Sequence, residues 1–146
     1  MHHIISFDVG SQYTISNPAP LYISTSQVWD NQVKILGDDG NVAYVHISEF
    51  EAAQSDLSLD SIRQPREDAI SKVGVGGATF NITTIGGKSA LTWYIPRQSV
   101  LSGNEFEETY GYSYWYDNQT KIEVSVDGLG KTVYDNLLKM QIKEKS

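Results

Sequence analysis

Along most of this chain apolar and polar side chains alternate at a period of two, and glycine, asparagine or aspartate repeatedly breaks the alternation. An extended strand turns successive side chains to opposite faces, so this period marks strands with one buried and one wet face. Gln32–Gly37 alternates, with Val33 and Ile35 on one side and Lys34 on the other. Asp38, Asp39, Gly40 and Asn41 then suit a reversal. Residues 42–48 return with Ala43, Val45 and Ile47 opposed to Tyr44, His46 and Ser48. Residues 78–85 and 88–96 flank Gly86-Gly87, a pair that accepts the positive φ of a primed hairpin turn. Residues 105–116 and 120–127 read as another hairpin about Asp117, Asn118 and Gln119. The second half is therefore expected to be a four-strand antiparallel meander.

Two stretches depart from that grammar. Leu59, Ile62, Arg66, Ala69, Ile70 and Val73 recur at helical steps, with Asp56 or Ser58 available as a cap. Pro65 has no amide donor, so the expectation is a short turn ending near Gln64 and a main helix opening at Pro65, with a kinked single helix as the alternative. Gly74, Gly76 and Gly77 end that helix. Val133, Leu137 and Leu138 predict a closing helix over 131–140, and residues 97–104 read as a mobile connector. Near the start, Tyr13 and Ile15 suggest a short strand, whereas Pro18 and Pro20 argue against a regular ladder. Met1, His2 and His3 read either as native residues or as a disordered, tag-derived start.

Composition narrows the function. A chain of 146 residues has room for one core, and no repeat or linker divides it, so residues 1–146 are taken as a single domain. Eighteen acidic against eleven basic residues give a formal charge of -7, which repels phosphate backbones. The basic cluster Lys139, Lys143 and Lys145 is read as a helix end complementing its dipole. No nucleic-acid partner is expected. The absence of cysteine removes disulfides, thiolate zinc sites and cysteine nucleophiles. No stretch approaches the ~20 apolar residues of a membrane helix, so no direct membrane insertion is expected.

Several segments also carry a family likeness. They are Tyr13-Thr14-Ile15-Ser16-Asn17-Pro18, residues 41–48, Ile82-Thr83-Thr84-Ile85-Gly86-Gly87-Lys88, residues 111–126, and Val133-Tyr134-Asp135-Asn136-Leu137-Leu138-Lys139. In this order the chain resembles the PsbP-like family, typified by the extrinsic photosystem II subunit and including prokaryotic surface and lipoprotein domains. The resemblance spans about residues 13–142. It implies an α-β-α sandwich and an exported or membrane-anchored parent, and does not imply an enzyme. The metal-binding and docking residues of the plant members match no position here and are not transferred. The expected fold is thus α+β: a central, mostly antiparallel sheet of about six or seven strands flanked by helices.

Among candidate site residues the foremost are Tyr110, Tyr112, Tyr114 and Tyr116, which fall on one face of one strand. Such a row offers apolar area and polar tips to a protein, peptide or glycan, unless a helix covers it. Trp29, in a polar turn beside Asp30 and Asn31, is a rim candidate, whereas Trp93 and Trp115 read as core. Glu105 and Glu107 share a face and supply the carboxylate pair of an alternative, hydrolytic reading. Asp38, Asp39 and Asn41 lack the spacing and distal glutamate of a calcium loop, and His46 has no partner at metal-ligand spacing. No elbow serine or phosphate loop occurs. Asn81-Ile82-Thr83 and Asn118-Gln119-Thr120 are glycosylation sequons.

These readings predict a non-catalytic binding or assembly domain without cofactor or metal, extracytoplasmic or on a cell surface, with a cytoplasmic setting left open. They also predict a monomer or weak oligomer. A carboxylate-pair hydrolase and a purely structural module are the alternatives.

Overall fold

The structure is a computed structural model that describes residues 3–19, 23–29, 31–37, 42–127 and 131–145. In chain order its strands are β1 (His3–Val9), β2 (Tyr13–Ala19), β3 (Ile23–Trp29), β4 (Gln32–Gly37) and β5 (Val42–Glu49). Helix α1 (Asp60–Lys72) follows, then β6 (Thr79–Ile85), β7 (Lys88–Ile95), β8 (Gln98–Ser99), β9 (Glu105–Phe106), β10 (Thr109–Trp115) and β11 (Thr120–Asp127). Helix α2 (Lys131–Leu137) and β12 (Gln141–Glu144) close the chain. A seven-stranded antiparallel sheet runs β3-β4-β5-β11-β10-β7-β6, and a three-stranded sheet runs β1-β2-β12.

The predicted hairpins are present in register. Residues 32–36 pair with 42–46, and Tyr112 faces Thr92 on one side and Val124 on the other. Gly86 and Gly87 carry φ of 55° and 82°, the positive values that a two-residue turn between Ile85 and Lys88 demands. Burial along β5 alternates as the pattern requires, with Ala43, Val45 and Ile47 inside.

The α-β-α sandwich is overturned. Strand predominates among the described residues, with twelve strands against two helices. One face of the large sheet is covered by the small sheet together with α2: Val9, Tyr13, Ile15, Tyr134, Leu137 and Met140 pack in one core with Val45, Tyr112, Ile122 and Val124. On the other face α1 lies over β7 and β10 and covers part of the sheet, joining Ile62 to Leu91, Trp93 and Ile95. The sandwich reading failed because two terminal segments act as strands. β1 was not anticipated as a strand; His3, read as native or as part of a disordered start, is in its ladder, while Met1 and His2 lie outside the described residues. The predicted closing helix ends at Leu137, and 141–144 turn back as a strand along β2, pairing Ile142 with Ile15.

Other local expectations are corrected by geometry. β2 runs on through Pro18, which sits opposite Ile4. The β12 ladder reaches only Tyr13–Ser16, so the missing amide of Pro18 interrupts no described pairing on that side. Pro20 lies outside the described residues. Pro65 does not open the main helix; it lies inside α1, whose other backbone bonds and packed face outweigh one missing donor. Ser58 Oγ accepts from the Ser61 amide at 3.2 Å, and Asp56 Oδ1 from the Ser58 amide at 2.9 Å, so both anticipated residues organise the approach to the helix. Gly74, with φ of 83°, turns the chain away. The supposed mobile connector holds β8 paired to β9, and the Leu101 amide donates to the Val73 carbonyl at 3.1 Å.

Candidate functional site

The tyrosine row is on one face of β10, as the alternation requires, but two of its members are core. Tyr112 is 0% and Tyr114 1% exposed. Tyr112 donates from its hydroxyl to the Leu137 carbonyl at 2.7 Å, so the end of α2 is tied to the middle of the sheet. Tyr134 of α2 donates to the Gly111 carbonyl at 3.2 Å and packs between Tyr110 and Tyr112. Burial pushes the phenols of Tyr112 and Tyr114 well up from their ordinary value, and that of Tyr134 to about 12. Tyr110 and Tyr116 are half-buried, the latter edge-on to Tyr13 at 6.0 Å. The middle of the row is therefore no open ligand surface, because α2 and the small sheet cover it, and across β11 the tyrosines face Val126, Val124 and Ile122. Trp29 is the last residue of β3, opposite Gln32, and its side chain lies outside the described part of the structure.

The opposite face of β10 confirms the core assignment of Trp93 and qualifies that of Trp115. Trp93 is 2% exposed, with its indole laid over Gly111, where a Cβ would sit inside the ring. Arg66 stacks on that ring at 3.7 Å and reaches Glu123 at 2.6 Å. Trp115 is half-buried and donates from Nε1 to Ser61 Oγ at 3.2 Å.

Glu105 and Glu107 lie in the open beside Arg97. Their side chains are 44% and 62% exposed and share Arg97, at 3.1 and 4.0 Å. Neither side chain is desolvated, which a raised catalytic acid requires. Glu108, across the strand, accepts from the Tyr94 hydroxyl at 2.6 Å, and this bond raises the Tyr94 phenol to about 12. His46 sits on β5 between Gln32 and Glu123 in register. Asp38, Asp39 and Asn41 lie outside the described residues.

The feature that sequence reasoning missed is the edge of the large sheet at β6. Among the described residues β6 pairs only with β7; it reads Thr-Phe-Asn-Ile-Thr-Thr-Ile and carries no charge, proline or register shift. Its Ile82 is 71% exposed. The side chain of Ile82 shares a face with Phe80 and Leu91, on the α1 side of the sheet. The N-terminal shoulder of α1, from Leu57 to Asp60, stops short of it and leaves two open grooves beside the isoleucine. The larger, about 670 Å³, is lined by Leu57, Leu59, Lys88, Trp115 and Tyr116; the smaller, about 420 Å³, by Leu59, Arg63, Phe80 and Leu91. Leu57 is itself 43% exposed. Asp60 and Arg63 form an ion pair at 2.8 Å on the rim.

A bare strand edge offers a row of unpaired amides and carbonyls, and natural proteins blunt such edges with charge, proline or bulges. The other edge, β3, carries a register shift between Gln27 and Trp29. β6 has none of these protections. The sequence signal was an uncharged strand followed by a tight turn, but nothing local says that its far side has no neighbour. Among the described residues no helix is long and apolar enough to cross a membrane. No family model matches the chain, and no curated protein matches it.

Proposed function

We propose that this chain is a non-catalytic binding and assembly domain whose docking element is the β6 edge with the grooves between it and the shoulder of α1. The observation that carries this reading is Ile82, a large apolar residue 71% exposed at the centre of an uncharged, regular edge strand. Strand addition recognises a partner in two ways: main-chain hydrogen bonds supply affinity, and pockets for alternate side chains supply selectivity. Here the exposed backbone supplies the first and the grooves lined by Leu57, Leu59 and Phe80 the second. The partner is accordingly an extended protein segment with apolar residues at alternate positions. A glycan partner rested on an open tyrosine face and is not carried forward. An extracytoplasmic setting, implied by the PsbP-like resemblance, belongs to the same proposal. The rival reading, a purely structural module, is favoured for β10 itself by the burial of Tyr112 and Tyr114.

A displayed library of random twelve-residue peptides tests the reading. Peptides enriched on the wild-type chain are expected to protect β6 amides from hydrogen exchange and to lose at least tenfold in affinity for Ile82→Lys. Enriched peptides that bind Ile82→Lys equally well, or protection confined to other strands, would sink it.

A further inference from the structure

The β6 edge has a symmetry that selects its occupant. Ile85 and Lys88 flank a two-residue turn and so form a hydrogen-bonded pair; by alternation Thr83 with Ala90, Asn81 with Thr92 and Thr79 with Tyr94 do the same. The amides and carbonyls of the residues between them, Phe80, Ile82 and Thr84, therefore point outward from the sheet. β6 spans Thr79–Ile85, so Ile82 is its midpoint. A two-fold axis through Ile82 carries the outward set onto itself: Ile82 meets Ile82, and Phe80 meets Thr84. Every outward donor on one copy then finds an outward acceptor on the other, giving about six backbone hydrogen bonds.

Charge and side chains fit the same arrangement. The chain bears a formal charge of -7, so two copies repel across most of their surfaces, yet β6 contributes none of the charged residues. On the α1 side the operation brings the two Ile82 side chains together, continuous with Phe80 and the Leu57 and Leu59 shoulder of each copy. On the opposite side Asn81 faces Thr83, two small polar residues. An isologous contact of this kind closes on itself and leaves no second β6 edge to propagate.

We infer that the occupant of the β6 edge is a second copy of this chain, paired antiparallel about Ile82 so that two seven-stranded sheets become continuous. This rests on the reading of β6 as the docking element. One strand pair with its flanking side chains is a small interface, of the class that gives weak, concentration-dependent association.

The chain has no cysteine, so a single introduced thiol reports on the register. In a hydrogen-bonded antiparallel pair the Cα atoms are about 5.5 Å apart, within disulfide reach. Ile82→Cys is expected to yield a covalent dimer under mild oxidation. Thr84→Cys is not, because its symmetry mate lies four residues away along the strand, roughly 13 Å. In sedimentation velocity the wild-type chain should shift from monomer to dimer as concentration rises, and Ile82→Lys should stay monomeric with an unchanged melting curve. A chain that stays monomeric throughout, or Ile82→Cys cross-linking no faster than Thr84→Cys, would overturn the inference. If selected peptides still bind at β6 in that case, strand addition survives and only the second copy falls. A dimer that persists in Ile82→Lys places the contact elsewhere and also overturns it.

Discussion

The two faces of the seven-stranded sheet obey the same alternation and meet different fates. Toward the small sheet, apolar residues from β4 to β6, Val33, Val45, Val124, Tyr112, Ala90 and Ile85 among them, are sealed into one core. Toward α1 the cover is partial. Leu91, Trp93 and Ile95 lie under the helix, His46, Ser48, Lys121, Glu123 and Ser125 stay half-exposed beside it, and Ile82 is bare. Tyr112 and Ile82 make the contrast concrete: a phenol with a polar tip is fully buried, and a purely apolar side chain faces water. Whether an alternating residue becomes core or contact depends on how far the covering element extends, not on the residue's own polarity.

The comparison breaks most visibly at Tyr112. Tyr112→Ala should destabilise the fold by about 3–5 kcal/mol, since it opens a cavity and removes one of the two donors to the Leu137 carbonyl, leaving only the Met140 amide. A shift of the urea midpoint at constant slope checks this, and a loss under about 1 kcal/mol would mean that the sealed face is not packed as described.

Alkaline pH sharpens the same contrast with no mutation. Burial raises the folded-state pKa of Tyr112, Tyr114 and Tyr134 above 10.0, so the folded chain holds these protons more tightly than the unfolded one. Their contribution is complete below pH 10.0 and is lost as pH rises through the folded values, the Tyr134 value being about 12. Melting temperature should therefore stay level up to pH 10.0 and fall steeply above it, with tyrosinate absorbance appearing together with unfolding. Phenols that all ionise near 10.0 while the fold persists would contradict the burial of the row.

The smallest effect belongs to the bare side. Ile82→Lys should change stability by no more than roughly 0.5 kcal/mol, because the side chain is already in water in the isolated chain. A loss several times larger in dilute solution would show that Ile82 is covered within one copy.

Much of the fold was legible because its determinants are local. Glycine at 86 and 87 permits the positive φ of the turn, and the spacing from Ala43 to Ile47 selects one buried face, so both hairpins could be read directly. The second half was recovered as the meander β6, β7, β10 and β11, apart from the small β8–β9 hairpin. The failures share one physical origin. Residues 141–144 and β1 are short and weakly patterned, and they become strands because β2 lies between them with free hydrogen-bonding groups on both sides. Glu105 and Glu107 looked like a pair by spacing, but Arg97, eight and ten positions away, sets their chemistry. The β6 edge went unseen for the converse reason: a strand's periodicity records what its faces touch and says nothing about its outer rim.

By itself, then, the sequence determined which way side chains alternate in the central strands, where the hairpin turns fall, and that a helix lies between Ser58 and Gly74. Backbone sterics and side-chain period act over a few residues and need no knowledge of the rest of the chain. Only tertiary structure decided which face is sealed, that the middle of the tyrosine row is core, and that β6 has one neighbour among the described residues in place of two. Those outcomes depend on the order of strands and the reach of the covering layer, and both are set by contacts between residues far apart in the chain.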